Sequence, residues 1–215
     1  MFATLSRYPL VAVFYHPDAI YAQKLIQACY DGGMRVVEFT NRGPEAAAVF
    51  MELRAYSSQH LPDLKLGIGT IYTANEAEQF IDLGADFVVQ PVTTSEVGAV
   101  CKRRDIPWIP GAMTPNEIYA AQQLGAKVVK VFPGVVLGPA FVKTLRGPMP
   151  DVPLMVNGGM EATLENLQEW FGAGANAMGI GASAFFSDRE MQDFDSVSEK
   201  VAELMEYLQA QIIQA

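Results

Sequence analysis

A chain of 215 residues, half of them apolar, can bury one sizeable core, and at this length an α/β barrel is a single domain spanning residues 1–215. Its formal charge of -9 and its lack of any Lys/Arg-rich run argue against a nucleic-acid or anionic-membrane partner; an anionic substrate would need positive charge concentrated locally. No apolar run approaches the roughly 20 residues of a membrane span, and the opening M-F-A-T-L-S-R-Y-P-L lacks the pattern of a signal peptide, so the expectation is a cytoplasmic protein.

Short apolar runs alternate with amphipathic stretches along the chain, which predicts repeated βα units around a parallel sheet. The first strand falls at Leu10–Tyr15, followed by a helix over Ala19–Asp31. In the second, Arg35–Thr40, period-2 alternation puts Val36, Glu38 and Thr40 on one face and Val37 and Phe39 on the other. A helix over Gly43–Ser58 leads past His60, read as an exposed residue, to the third strand, Lys65–Thr70. A helix over Ala74–Leu83, a strand at Phe87–Val89 and a helix over Ser95–Arg104 come next. The fifth strand, Trp108–Pro110, opens P-G-A-M-T-P-N-E, where Thr114 fits an N-cap and Pro115 the first helical position. Thr114, Pro115 and Glu117 are therefore read as helix-start chemistry rather than as catalysts. That helix runs to Leu124, and the sixth strand, Val128–Phe132, carries Lys130. Helices over Pro139–Leu145 and Thr163–Phe171 flank the seventh strand, Leu154–Val156, and the eighth, Ala177–Ile180, precedes a closing helix near Ser196–Ile213.

Glycines at 32–33, 84, 125 and 172 or 174 are placed to cap helices before the next strand. The same joint recurs in L-G-A-D-F-V-V (83 to 89), L-G-A-K-V-V-K (124 to 130) and A-G-A-N-A-M-G (173 to 179). Eight βα units in this length predict a compact (β/α)8 barrel, with a doubly wound open sheet as the structural rival.

Within V-V-K-V-F-P, Lys130 sits where an ammonium loses its hydration, and desolvation favours the neutral amine, a nucleophile able to form a Schiff base with a carbonyl. Glu38 interrupts its own apolar strand in the same way. By alternation Lys130, Glu38 and Thr40 point into one interior; a buried Lys–Glu ion pair serving structure alone is the competing reading. The glycine-rich turns N-G-G-M (157 to 160) and G-I-G-A-S (179 to 183) follow the last two strands, where barrels often bind phosphate through backbone N–H groups. Cys29 and Cys101 lack metal-ligand spacing and read as reduced, semi-buried thiols. His16 and His60 are too few for a multi-histidine site, so no metal or cofactor is expected.

Taken in order, V-E-F-T-N-R, G-I-G-T, I-P-G-A-M-T-P-N-E, V-K-V-F-P and the late N-G-G and G-A-S resemble the class I aldolases that cleave 2-keto-3-deoxy-6-phosphogluconate (KDPG) and 4-hydroxy-2-oxoglutarate (KHG). The resemblance runs from about the first strand to Ser183. It implies that Lys130 is the Schiff-base lysine and Glu38 the general acid/base acting on a 2-keto acid. Arg42 and Thr70 would hold the carboxylate, and Pro91 and Phe132 would shape the pocket. Gly158, Gly159, Gly181 and Ser183 would line the phosphate end. It also implies a homotrimer, for which Trp170 and Phe171 are taken as exposed apolar candidates.

The chain departs from the family pattern in four places. Asn157 replaces a threonine associated with discrimination at the hydroxyl-bearing carbon. Gln90-Pro91-Val92 stands for S-P-G, Ala182 for a second glycine, and Tyr15-His16 for an arginine that many relatives carry. Two rival functions remain at this level: a metal-dependent keto-acid aldolase or decarboxylase, and a non-catalytic barrel that binds a phosphometabolite.

Overall fold

The computed structural model describes residues 1–187 and 192–214. A short helix α1 (Phe2–Arg7) comes first; then follow β1 (Leu10–Phe14), α2 (Ala19–Asp31), β2 (Val36–Thr40), α3 (Ala46–His60), β3 (Lys65–Gly69), α4 (Ala74–Asp82), β4 (Val88–Val89) and α5 (Ser95–Arg103). The second half comprises β5 (Trp108–Ile109), β6 (Gly111–Ala112), α6 (Pro115–Gln123), β7 (Val129–Val131), α7 (Gly134–Leu137), α8 (Pro139–Leu145), β8 (Leu154–Asn157), α9 (Leu164–Gly172), β9 (Ala177–Gly181) and α10 (Phe194–Gln214). Strand order is β5-β4-β3-β2-β1-β9-β8-β7-β6, and every pairing is parallel.

The two ends of that order meet within one segment. β5 pairs with β4, β6 pairs with β7, and between them lies Pro110, which has no N–H to give either ladder. Its carbonyl still accepts from the Lys130 amide at 2.8 Å. β5 and β6 are therefore halves of one barrel strand, and the sheet closes as the expected (β/α)8 barrel, not as an open doubly wound sheet. The predicted fifth strand, Trp108–Pro110, is divided at its last residue.

Alternation sorts the strand residues as the pattern implies. Val11, Val36, Phe87, Val89, Ile109, Val128, Met155 and Ala177 point inward and form one apolar cluster, while Val37, Phe39, Val129 and Val131 join the larger core between sheet and helices. Leu5 of α1, 2 % exposed, completes the inner cluster and plugs the amino-terminal end of the barrel. Burying such a side chain contributes roughly 1.5–3 kcal/mol, enough to hold a helix too short to persist alone.

The repeated helix-to-strand joint has one hydrogen-bond scheme. Gly84, Gly125 and Gly174 adopt positive φ; the amide of the residue after each reaches back to Phe80, Ala121 and Trp170 respectively, at 3.0–3.1 Å. This is the Schellman arrangement that satisfies the last helix carbonyls. At the start of α6, Thr114 and Glu117 form a reciprocal capping box with Pro115 at the first position; the Met113 amide holds the Glu117 carboxyl below its ordinary value. Their work is structural, as expected.

Two expectations change. Trp170 is 2 % exposed and belongs to the core, because its face of α9 is the one turned to the sheet; it offers no exposed surface to a partner chain. Cys29 and Cys101 are fully rather than partly buried, and burial pushes both thiols up to about 12. His60 is exposed, as expected, and closes α3 as its last residue with its ring against Tyr56.

Candidate active site

Lys130 occupies the centre of β7 and Glu38 the centre of β2, so both side chains enter the barrel above the apolar inner cluster. Lys130 Nζ and Glu38 Oε1 are 3.5 Å apart, with side chains 7 % and 1 % exposed. The contact is long for a hydrogen bond and leaves capacity on both groups; Glu38 Oε2 is buried without a partner. Room for the carboxylate comes from the next strand: a Cβ added to Gly69 would lie 1.9 Å from Oε1. Phe132, two residues beyond Lys130, places its ring centroid 5.3 Å from Nζ. Thr40 faces the same interior, but its hydroxyl donates to the Phe14 carbonyl at 3.1 Å and is committed to joining β2 to β1.

The carboxyl ends of the strands surround this pair. Asn157 closes β8, 3 % exposed, and its Oδ1 is buried without a partner. Its register neighbour on β9 is Gly179, where an added Cβ would lie 2.1 Å from Asn157 Nδ2; the amide fills the space a side chain would take. Thr70, immediately after β3, has φ of 62°, an outlier for a β-branched residue and a position where strain is held by its surroundings. Sequence reasoning found Thr70 by its place but had no means of seeing its backbone.

Arg42, two residues past β2, is exposed and has no side-chain partner among the described residues. The other described arginines are committed. Arg7 lies over Tyr8, Arg35 over Tyr30, Arg54 pairs with Asp86, Arg103 and Arg104 with Glu78, and Arg146 with carbonyls. In a chain of net charge -9, an uncommitted guanidinium at the carboxyl end of the strand that carries Glu38 is a local centre of positive charge.

Pro91 and Val92 follow β4. The preceding Gln90, wholly buried, points away from the barrel interior; it donates to the Ile71 carbonyl and Thr94 Oγ1 and accepts from Trp108 Nε1 at 2.9 Å. Gln90 therefore ties loops together, and Val92, 42 % exposed, holds Gly111 through its carbonyl. Gly158 and Gly159 turn with φ of 90° and 82°; the Gly158 carbonyl takes the Val135 amide, and a Cβ added to Gly158 would lie 3.0 Å from the Phe132 ring. Gly181 and Ser183 are exposed at the end of β9 and in the 3₁₀ turn Ala182–Phe185, while Ala182 turns inward. All eleven predicted site residues thus lie inside or at the carboxyl mouth of the barrel.

Two surface cavities of about 470 and 460 Å³ lie elsewhere, one beside α1 and Trp108, the other against α10 near Asp193. Neither is lined by Lys130 or Glu38. Among the described residues no group of three or more His, Cys, Asp or Glu is placed to hold a metal ion, and no helix is long and apolar enough to cross a membrane.

A parallel barrel whose interior holds an amine against a carboxylate belongs with the barrel lyases, and the comparisons are consistent with that. The family model for KDPG and KHG aldolases matches residues 2–200, and the chain belongs to this family of aldolases. The 2-dehydro-3-deoxy-phosphogluconate aldolase of Treponema pallidum is 34% identical over 171 residues, 79% of each chain. The 2-dehydro-3-deoxy-6-phosphogalactonate aldolase of Escherichia coli K12 is 27% identical over 191 residues, 87% of this chain and 89% of its own. In fold, the chain matches the KDPG aldolase of Legionella pneumophila at a TM-score of 0.84 and 24% identity, over 94% of this chain and 97% of that one; that protein was solved with pyruvate captured as a covalent carbinolamine.

Proposed function

We propose that Lys130 forms the Schiff base through which this aldolase cleaves KDPG to pyruvate and glyceraldehyde 3-phosphate, and KHG to pyruvate and glyoxylate, with Glu38 as the acid/base. The observation that carries the reading is the buried 3.5 Å contact between Lys130 Nζ and Glu38 Oε1, with the second carboxylate oxygen unpaired. The covalent carbinolamine in the Legionella protein supports the same chemistry.

The neutral amine of Lys130 adds to the C2 carbonyl, and the carbinolamine loses water to give an iminium. Glu38, directly or through one water, takes the proton of the 4-hydroxyl. The C3–C4 bond then breaks, its electron pair moves toward the iminium nitrogen to leave an enamine, and the aldehyde departs. The protonated Glu38 returns the proton to C3, and water hydrolyses the resulting iminium to pyruvate and free Lys130. Arg42 and Thr70 hold the keto acid's carboxylate, with Arg42 suited to two parallel hydrogen bonds. Pro91 and Phe132 wall the imine, Asn157 meets the 4-hydroxyl, and Gly158, Gly159, Gly181 and Ser183 receive the phosphate.

The enzyme works as a cytoplasmic homotrimer in this reading. Exposed apolar side chains on the loops of the mouth (Tyr72, Val92, Met113) and on the short helix α7 (Val135, Val136) support an interface there, and two free buried cysteines suit a reducing compartment.

Borohydride trapping tests the central assignment. Incubation with pyruvate and borohydride is expected to add a reduced pyruvyl group to the peptide containing Lys130, in untreated and exhaustively chelated protein alike. An adduct on a different lysine, or activity that chelation removes and a divalent metal restores, would overturn it.

A further inference from the structure

The reading of Arg42 as the carboxylate anchor raises a question of competition, and the inference here rests on that reading. Glu45, the N-cap of α3, stands three residues beyond Arg42 on the same short connecting segment and is the carboxylate nearest to it in sequence. A carboxylate so placed would neutralise Arg42 and contend with the substrate for it. Glu45 instead makes no capping bond to α3, and its Oε2 accepts a hydrogen bond from Tyr15 Oη at 2.8 Å.

Tyr15 is held for this contact. It follows β1, and its ring is tilted against Phe39 at 5.7 Å between centroids. Its hydroxyl lies over Gly43, so close that a Cβ there would be 2.0 Å from Oη. The loop that carries Arg42 therefore leaves a seat for a tyrosine ring. Loss of hydration, the Glu45 hydrogen bond and the nearby Glu45 charge all raise the Tyr15 phenol above its ordinary value, so the proton donated to Glu45 stays on Tyr15 at neutral pH. On the other flank the Asn41 amide donates to the Gly69 carbonyl at 2.9 Å and Asn41 Nδ2 to Glu76 Oε1 at 3.4 Å, which fixes the loop from α4.

We propose that Tyr15 is a positioning residue: by engaging Glu45 it keeps that carboxylate away from Arg42 and leaves the guanidinium free for the substrate's carboxylate.

Tyr15→Phe keeps the ring on Gly43 and removes only the hydroxyl. The expected result is a rise in KM for the keto acid of about three- to fivefold, the scale of one solvent-screened ion pair, with kcat unchanged and the rise shrinking at high salt. Adding Glu45→Gln to Tyr15→Phe is expected to restore the wild-type KM, because an amide cannot neutralise Arg42. An unchanged KM in Tyr15→Phe, or a raised KM that Glu45→Gln fails to restore, would overturn the proposal. Arg42→Ala separates the two layers. If it raises KM while Tyr15→Phe does not, the positioning role alone falls; if it leaves KM unchanged, the carboxylate reading falls and this inference with it.

Discussion

At the amino-terminal end of the barrel Arg146 donates to the carbonyls of Val152, Pro150 and Gly174 and to Asn176 Oδ1, and Asn176 Oδ1 in turn accepts from the Leu154 amide. At the carboxyl end Glu38 Oε2 and Asn157 Oδ1 are buried with no partner among the described residues. An unpaired buried polar group costs roughly 1–3 kcal/mol, so one end uses its polar atoms to join elements while the other carries a debit that a bound molecule can remove. The packing follows the same division. Below Lys130 the interior is filled by Val11, Val36, Phe87 and Val128 against Leu5, whereas around Glu38 and Asn157 the facing positions are glycine.

The largest test of this contrast is Glu38→Gln. It keeps the shape of the side chain and removes the proton acceptor, so kcat should fall by about 10²- to 10⁴-fold. Steady-state kinetics with KDPG checks it, and a loss under tenfold would place Glu38 with the structural groups of the other end. Next comes Arg146→Ala, which orphans several carbonyls at once. Stability should drop by at least roughly 1–3 kcal/mol, and the melting temperature by about 2–4 °C for each of those kcal/mol in a chain of this size. The kcat/KM of the folded protein should not change, and a concurrent loss of activity would show that the two ends are coupled. The smallest effect concerns Asn157. An amide offers both donor and acceptor to a hydroxyl from more than one direction, so Asn157→Thr should raise the preference for KDPG over its galactonate epimer by about tenfold, the worth of one hydrogen bond near 1.4 kcal/mol. Equal ratios in mutant and wild type would place discrimination elsewhere in the pocket.

Much of the barrel is readable from order alone, since helix-ending glycines and two periodicities recur around the whole ring. Lys130 and Glu38 stand out in a sequence because a charge inside an apolar strand needs a reason. What escapes is whatever depends on tertiary proximity. α1 spans six residues and is decided by where Leu5 docks, not by any run of strong helix formers. The division of the fifth strand at Pro110 follows from which neighbour lies on each side. Trp170 and Phe171 are adjacent and point about 100° apart on a helix, so one is buried and the other half-buried, a distinction the pair itself does not reveal. Tyr15 and Glu45 are thirty residues apart, and only the structure shows that they meet, over Gly43.

The glycines opposite Glu38 and Asn157 also bear on how this protein can be redesigned. At positions 69 and 179 one added methyl group would lie 1.9 Å from Glu38 Oε1 and 2.1 Å from Asn157 Nδ2. A side chain at either position has to displace Glu38 or Asn157, so variation at these two walls disturbs the site before it reshapes it. Size changes at the exposed rim, at Val92 or Val135, leave both walls intact and bear instead on the interface proposed there.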